Sequence, residues 1–294
     1  MNFNKLEVYC KVVEEGSLTV AANHFHVTQP VISSHLKDLE VFFGTKLLHL
    51  ENRRMLVTEA GRAVYDYALS IRHATAATRA FATALAVGDA GRVVIGASHG
   101  PGGYLLPSPL ARFRAAHPNV QLELAVVGSS NVIEGLTGGL YDIGVVASTD
   151  VPPEFDTEIF SDEALVLIAA PEHPLARQRS IGTASLQQSH FVFPYSPRTQ
   201  TWVRKSLARL GIKQPQVSMT LGSWEGIKNA VMAGAGIGLA YRFCVEAELK
   251  DKRLKALSMR VNPSNEPVLL IRSPQRLYTP MQERLFDYLR SARA

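Results

Sequence analysis

Cysteine is scarce in this chain, since Cys10 and Cys244 are the only two among 294 residues. They lie far apart with no ligand-like spacing, so neither a disulfide framework nor a zinc site is expected. The chain also lacks a basic-then-apolar leader and any apolar run of about 18 residues, which argues against export and membrane spanning. It contains no Walker loop and no paired metal ligands. We therefore expect a protein of the reducing cytoplasm that uses no cofactor and no metal.

Charged residues are few as well, at 19% of the chain, whereas apolar residues make up 46%. That balance argues against disorder and is sufficient for two or three separate cores. The formal net charge of +5 suggests a nucleic-acid partner, but residues 1–60 contain six Lys or Arg against seven Asp or Glu. Affinity of this segment for phosphate must therefore come from a few placed side chains rather than from its total charge.

Residues 16–44 predict two short helices separated by a tight break at His26, Val27 and Thr28. Thr28 can cap the second helix, Pro30 suits its first turn, and Gly44 is expected to end it. Apolar residues at helical spacing predict one buried stripe, formed by Ile32, Leu36, Leu39 and Phe43. This arrangement is typical of a helix-turn-helix. We predict that the exposed side and start of the second helix contact DNA through Thr28, Gln29, Pro30, Ser33, Ser34, His35 and Lys37.

A wing and a long helix are predicted next. Short strands around the polar turn 51–54 would place Arg53 and Arg54 against phosphate or the minor groove, and a merely solvated turn is the alternative. Residues 59–86 are rich in alanine and contain no proline, which predicts one helix. Its apolar residues recur at spacings of three and four, which suits packing against a partner helix. We therefore expect this helix to link the flanking domains or to form a dimer contact. The alternative is a helix packed on its own domain.

From residue 91 onward, predicted strands and helices alternate, which is typical of βαβ units in a parallel sheet. We predict strands at 92–97, 121–127, 141–147, 164–170, 191–194, 217–221, 237–240 and 268–272. We predict helices at 105–116, 131–138, 201–210, 223–233 and 280–294. A glycine-rich G-x-G run at 234–238 follows a helix and precedes a strand, the reverse of the dinucleotide-binding order. We interpret those glycines as a means of close packing.

The segment from Gly96 to Gly100 matches the G-x-S-x-G pattern of a hydrolase nucleophile, with Ser98 directly after a strand. Such a nucleophile needs a helix immediately behind it, and the Gly and Pro residues at 100–103 are expected to delay that helix. An acid and a histidine are also needed downstream, where His173 and His190 stand in ordinary polar surroundings. We therefore expect Ser98 to face a ligand cleft, with a serine hydrolase as the alternative.

Three other polar clusters follow predicted strands, and each is explicable as a helix cap alone. If the strands belong to two lobes, these clusters and Ser98 converge on one cleft. Arg198 is the one obvious cation among them, which favours an anionic ligand. The residues expected to bind this ligand are Ser98, His99, Ser129, Ser130, Arg198, Thr199, Gln200 and Trp224.

These motifs together resemble the LysR-type transcriptional regulators over nearly the whole chain. The N-terminal resemblance rests on Ala21-Ala22, Thr28-Gln29-Pro30-Val31-Ile32-Ser33, Lys37-Asp38-Leu39-Glu40, Gly44 and Thr58-Glu59-Ala60-Gly61. The C-terminal resemblance rests on Gly96-Ala97-Ser98, Pro118-Asn119-Val120, Asp142-Ile143-Gly144, His173-Pro174-Leu175-Ala176 and the segment 233–238. In the effector loop, Pro197-Arg198-Thr199-Gln200 replaces the common Ser-Gly-Thr-Arg, which moves or removes a cation.

The resemblance implies a multidomain regulator rather than an enzyme. Residues 1–60 would be an all-α winged helix-turn-helix domain and 61–90 a linker helix. Residues 91–294 would be an α/β effector domain resembling two-lobed periplasmic binding proteins, with lobe I at 91–161 and 266–294 and lobe II at 162–265. Gln29, Pro30 and Ser33 match operator-contact positions, and Ser98, Ser129, Ser130 and Thr199 match effector positions. The implied partners are an operator in double-stranded DNA, a small-molecule effector, further copies in a homodimer or homotetramer, and RNA polymerase for an activator.

A solute-binding protein without DNA function is the remaining alternative. The missing leader and the first 60 residues argue against it.

Overall fold

The computed structural model of the chain describes residues 2–51, 54–87, 91–147, 150–259 and 263–292. Its N-terminal part contains three helices and an antiparallel two-stranded wing. These elements are α1 (Phe3–Glu15), α2 (Leu18–His24), α3 (Gln29–Phe43), β1 (Leu48–Glu51) and β2 (Arg54–Val57). The predicted winged helix-turn-helix is confirmed.

Local signals explain where the first three helices start and stop. Gly16 and Gly44 adopt left-handed conformations, with φ of 61° and 68°, and end α1 and α3. The Ser17 hydroxyl accepts a hydrogen bond from the Val20 N–H at 3.4 Å and caps α2. Thr28 occupies the N-cap of α3 but makes no side-chain cap. One of the usual donors to that cap belongs to Pro30, which has no N–H, so the predicted capping role of Thr28 is wrong.

The stripe predicted on α3 faces the interior of the N-terminal part. Ile32 and Leu39 are fully buried, and Leu36 and Phe43 are half-buried beside them. Leu39 shares its cluster with Tyr9 of α1 and with residues of the long helix α4 (Glu59–Val87). The Tyr9 hydroxyl also donates to the Gly61 carbonyl of α4 at 2.8 Å. The beginning of α4 is therefore part of the N-terminal core.

The first lobe of the C-terminal part is built on a five-stranded sheet with the order β4-β3-β5-β12-β6. Its strands are β3 (Gly91–Ser98), β4 (Val120–Val127), β5 (Ile143–Val146), β6 (Asp156–Glu163) and β12 (Glu266–Arg272). Strand β3 is parallel to β4 and β5, whereas β12 is antiparallel to β5 and β6. The lobe also contains helices α5 (Pro107–Ala116), α6 (Ser129–Thr137) and α11 (Pro280–Ser291).

The second lobe has its own core around two smaller sheets, with the orders β10-β7-β11 and β8-β9. Its strands are β7 (Leu165–Ala169), β8 (His190–Pro194), β9 (Gln216–Leu221), β10 (Gly238–Tyr241) and β11 (Lys255–Ala256). Its helices are α7 (Thr183–Gln187), α8 (Pro197–Arg209), α9 (Trp224–Met232) and α10 (Glu246–Lys250). Gly236 precedes β10 with φ of 146°, and a Cβ there would meet the His190 carbonyl oxygen at 2.5 Å. The G-x-G run therefore serves close packing, as predicted.

Two expectations about the C-terminal part are wrong. Its sheets are not all parallel. The five-stranded sheet is mixed because β12 returns antiparallel, and β7 pairs antiparallel with β10 and β11, so among the described strands only β8 and β9 form a purely parallel sheet. Strand β6 was not predicted. It is an edge strand in which Phe160 is the only buried residue, so its sequence is mostly polar and lacks the apolar signal of a central strand.

None of the helices formed by the described residues combines the length and apolar character that a membrane span requires.

Candidate DNA interface and effector cleft

The exposed face of α3 gathers most of the residues predicted to contact DNA. Gln29, Ser33 and Lys37 recur every four residues and therefore lie within about 80° of one another around the helix. All three are exposed, as are the flanking residues Thr28, Pro30 and Ser34. An exposed helical face of polar side chains fits the dimensions of a major groove.

His35 is separated from this face. By helical spacing it points about 120–160° away from Gln29, Ser33 and Lys37, toward the other side of α3. It is half-buried, and its Nδ1 atom is enclosed without a hydrogen-bond partner among the described residues. Helical periodicity was the available sequence signal, because consecutive residues of a helix point about 100° apart and residue 35 falls outside the 29, 33, 37 series.

The lysines of the N-terminal part are mostly paired. Three form close ion pairs: Lys5 with Asp38 at 2.6 Å, Lys11 with Glu15 at 2.7 Å and Lys46 with Glu40 at 2.7 Å. Lys37 is exposed and makes no ion pair with any described residue. The low net charge of this part therefore coexists with one ammonium group on the recognition face that remains available for a phosphate or a base.

The wing is formed as predicted, but the structure does not test the DNA contacts predicted for the two arginines at its tip. Arg53 lies outside the described residues. Arg54 starts β2, where it is paired in register with Glu51 of β1. Their predicted DNA contacts remain predictions.

In the first lobe, the register of the sheet brings two predicted ligand-binding segments together. Ser98 ends β3 opposite Val127 of the parallel strand β4, and Ser129 and Ser130 begin α6 two residues later. Ser98 is buried, and its Oγ accepts a hydrogen bond from the Ala147 N–H at 2.9 Å. His99 is exposed. The carboxyl end of this sheet thus presents hydroxyl groups and the first N–H groups of α6.

The helix expected to be delayed after Ser98 in fact starts at once. His99 and Gly100 are already helical, and a π-helical segment follows at Pro101–Leu105. The lack of a delay removes one argument against a nucleophile, but the geometry supplies another. The Ser98 hydroxyl is buried and engaged by the Ala147 N–H, and no hydrogen bond among the described residues joins it to a histidine. His173 uses its Nδ1 to accept from the Leu175 N–H at 3.2 Å.

In the second lobe, two adjacent parallel strands carry the other predicted ligand-binding residues. Pro194 of β8 lies in register with Leu221 of β9, and the Tyr195 N–H donates to the Leu221 carbonyl at 2.7 Å. The starts of α8 and α9 therefore lie side by side. Arg198 is exposed at the first turn of α8, while Thr199, Gln200 and Trp224 are half-buried.

Capping accounts for one of these clusters but not for two others. The Ser223 Oγ accepts from the Gly226 N–H at 3.0 Å and caps α9. Helices α6 and α8, by contrast, begin at Gly128 and Ser196 without any side-chain cap. Their first N–H groups are therefore left to water or to a ligand.

The two lobes touch through a polar cluster that sequence reasoning missed. Tyr104, six residues after Ser98, donates its hydroxyl to the Glu225 carboxylate next to Trp224. Lys228 binds the same carboxylate at 2.8 Å and Glu248 of α10 at 2.9 Å. Its ammonium also lies 5.0 Å from the centre of the Tyr104 ring. This contact joins the segment that follows Ser98 to the helix that starts at Trp224.

Burial and pairing set the charge states in this cluster. Burial alone lowers the pKa of Lys228, but the hydrogen bonds that its ammonium donates to Glu225 and Glu248 outweigh burial and raise that pKa above its ordinary value. Burial, assisted by the Glu225 carboxylate, raises the pKa of Tyr104 to about 12. Lys228 is therefore protonated and Tyr104 neutral near pH 7. A lysine beside Ile227 on the buried side of α9 was the available sequence signal.

The two parts define a class: a winged helix-turn-helix protein that carries a two-lobed α/β domain. Residues 3–62 match the model of the bacterial regulatory helix-turn-helix proteins of the lysR family, and residues 86–294 match the LysR substrate binding domain. The chain therefore belongs to the LysR family of DNA-binding transcriptional regulators. Members of this family are regulators and not enzymes, so the hydrolase alternative is dismissed.

Known relatives agree with this assignment. A probable RuBisCO transcriptional regulator of Emiliania huxleyi is 28% identical over 278 residues, which cover 88% of each chain. The regulator CbbR of Xanthobacter flavus is 26% identical over 287 residues, covering 97% of this chain and 86% of CbbR. The fold is shared with the LysR regulator CbnR, at a TM-score of 0.76 and 22% identity over 100% of both chains. CbnR complexed with its target DNA gives a TM-score of 0.75 at 21% identity over 99% of both.

Proposed function

We propose that this regulator reads its operator with the exposed face of α3 and that a small organic anion in the cleft between the lobes modulates its binding. The domain division that supports this proposal is 1–60 for DNA, 61–90 for the linker and 91–294 for the effector. The observation that carries the DNA part is the single exposed face formed by Gln29, Ser33 and the unpaired Lys37.

Gln29 is expected to supply sequence discrimination. Its amide can form two hydrogen bonds with a base edge, so Gln29→Ala should cost about 1–3 kcal/mol at one operator position and much less on random DNA. Gel-shift titrations with an operator selected from a random library, and with an unselected fragment, measure the two losses. Equal losses on both fragments would contradict a base contact.

Lys37→Ala is the contrasting variant, because a phosphate contact carries no sequence information. Lys37→Ala should weaken binding to both fragments by the same factor. It should also reduce the slope of log affinity against log salt concentration by about one.

The effector part of the proposal is supported by two uncapped helix starts, one from each lobe, and by Arg198. Ser129 and Ser130 begin α6, and Thr199 lies in the first turn of α8 next to Arg198. Free N–H groups and a guanidinium together favour a carboxylate. The contact between Tyr104 and Glu225 supports a cleft at this boundary, because it joins the segment that follows Ser98 in the first lobe to α9 in the second. The start of α6 lies close to the end of the strand that carries Ser98, and the start of α8 lies beside that of α9.

Arg198→Ala is expected to weaken binding of carboxylates at least tenfold, because a charge-assisted hydrogen bond contributes about 1.5–3 kcal/mol. Isothermal calorimetry with a panel of small mono-, di- and tricarboxylates measures this loss. Arg177→Ala, which changes an exposed arginine of the short helix Pro174–Arg177 and therefore belongs to neither helix start, is the control. Carboxylate affinity that is equal in both variants and the parent would rule Arg198 out as the anion contact.

Assembly is also part of the proposal. We propose a homodimer or homotetramer whose contacts include α4, on which Tyr67 remains 46% exposed. Several DNA-binding domains held together raise the effective affinity of each for DNA. An activator of this design would also contact RNA polymerase. Light scattering of the purified protein measures the copy number.

A further inference from the structure

Two consecutive residues in the middle of α4 contact the folded parts on either side of it. The Arg72 guanidinium donates to the Glu14 carboxylate of α1 at 3.1 Å. The Nδ1 atom of His73 lies 2.6 Å from the carbonyl oxygen of Gly138, at the end of α6 in the first lobe. One turn of α4 therefore touches both the DNA-binding part and the effector part.

The surface that His73 contacts is a hydrogen-bonded turn of the first lobe. Gly139 adopts a left-handed conformation with φ of 72°, and a Cβ there would lie 3.1 Å from the Cβ of His73. Arg276 holds the turn by donating to the carbonyls of Gly139 at 3.1 Å and Tyr141 at 2.7 Å. Its guanidinium also pairs with Asp142. These bonds tie the turn that His73 contacts to the rest of the first lobe.

The hydrogen bond from His73 has a defined direction. Burial lowers the pKa of His73 and outweighs the hydrogen bond to Gly138, which raises it, while the charges of Arg72 and Arg276 lower it further, so the ring is neutral near pH 7. A backbone carbonyl can only accept, which assigns the proton to Nδ1. The side chain therefore donates to Gly138.

This contact gives the first lobe a second attachment to α4. The helix continues for 14 residues from His73 to Val87, which is about 21 Å at 1.5 Å per residue, before the chain enters the lobe at β3. A lobe held only at the end of α4 would swing about one hinge. A lobe held also at His73 has two points of attachment and a fixed orientation.

We propose that the Arg72–His73 turn of α4 is a coupling joint that fixes the orientation of the DNA-binding domain relative to the first lobe. Helix α6 starts at Ser129 and ends at this joint, so a ligand at its start would act on the orientation through one short helix. That last step rests on the proposed effector site. The mechanical role of the joint does not.

The test measures the distance between spin labels on Asn23→Cys, exposed on α2, and Ala115→Cys, exposed on α5. The two native cysteines are buried, and dilution with unlabelled protein removes distances between copies. Double electron–electron resonance on the full chain without ligand then measures the distance between the two labels, which reports the orientation of the DNA-binding domain relative to the first lobe. His73→Ala is expected to populate additional distances. Orientations in which the contact between residue 73 and Gly138 is absent should gain about fivefold in population for one lost hydrogen bond.

Two variants control this result. His73→Asn can place its amide nitrogen near the position of Nδ1, so it should restore the narrow distribution. Arg79→Ala changes an exposed residue of the same helix and should leave the distribution as it is. Circular dichroism confirms that each variant is folded.

An unchanged distribution in folded His73→Ala would overturn the proposal, as would a broadened one in His73→Asn equal to that in His73→Ala. A second readout is operator binding with the two half-sites moved apart or together. His73→Ala should reduce discrimination between spacings about fivefold. Neither measurement uses an effector, so a failure of the joint is distinguishable from a failure of the carboxylate site.

Discussion

Lys228→Met is expected to destabilise the second lobe by about 3–5 kcal/mol, because it removes one partner of a buried ion pair. Lys228 is buried, and without it Glu248 keeps, among the described residues, only the more distant Arg253, at 3.7 Å. The uncompensated carboxylate must then be desolvated without a close cation. Both tryptophans of the chain, Trp202 and Trp224, lie in this lobe, so their fluorescence during denaturant unfolding reports its stability.

The matched double variant separates the charge from the packing. Lys228→Met combined with Glu248→Leu replaces both charges by apolar side chains and should recover most of the lost stability. Lys250→Met, an exposed lysine of α10, should change stability by less than about 0.5 kcal/mol. A double variant as unstable as Lys228→Met alone would show that the loss comes from packing and not from the unpaired carboxylate.

Leu39→Ala is expected to abolish operator binding through the core of the DNA-binding domain. Leu39 is fully buried beneath the recognition face, in a cluster with Leu6, Tyr9 and Leu47. Removing a buried leucine side chain costs about 2–5 kcal/mol, which is a large part of the stability of a domain of this size. Amide hydrogen exchange of α3 measures the loosening, and gel-shift titration measures the loss of binding.

Val41→Ala on the same helix is the control, because Val41 is 74% exposed. It removes a similar amount of apolar side chain but leaves no cavity, so binding and exchange should stay near those of the parent. If Leu39→Ala retained parental affinity for the operator, the cluster around Leu39 would not be needed to present Gln29 and Ser33.

The helix-turn-helix could be predicted from the sequence because its signals are local. The glycines that end α1 and α3 act within a single turn, and the apolar period of α3 marks its buried side wherever the partner lies. The resemblance to the LysR family came from the same short motifs. The exposed positions Gln29, Ser33 and Lys37 could be chosen for the same reason, since helical spacing alone places them together.

The errors of sequence reasoning were of two kinds, two of them local and one dependent on a distant partner. His35 was grouped with its sequence neighbours, although the helix carries it to the other side. Thr28 was assigned a cap, although Pro30 removes a donor that the cap would use. Strand β6 was missed because its pairing with β12, more than 100 residues later, supplies the order that its polar sequence does not indicate.

The sequence by itself determined the helix boundaries of the DNA-binding domain, the alternation of strands and helices after residue 91, and membership of the regulator family. Only the tertiary structure decided which lysine stays unpaired, which carboxylates enclose Lys228 and which carbonyl His73 meets. The physical reason is the distance along the chain over which each interaction acts. Propensity, capping and periodicity act over a few residues, whereas burial and ion pairing depend on groups that the folded chain brings together from far apart.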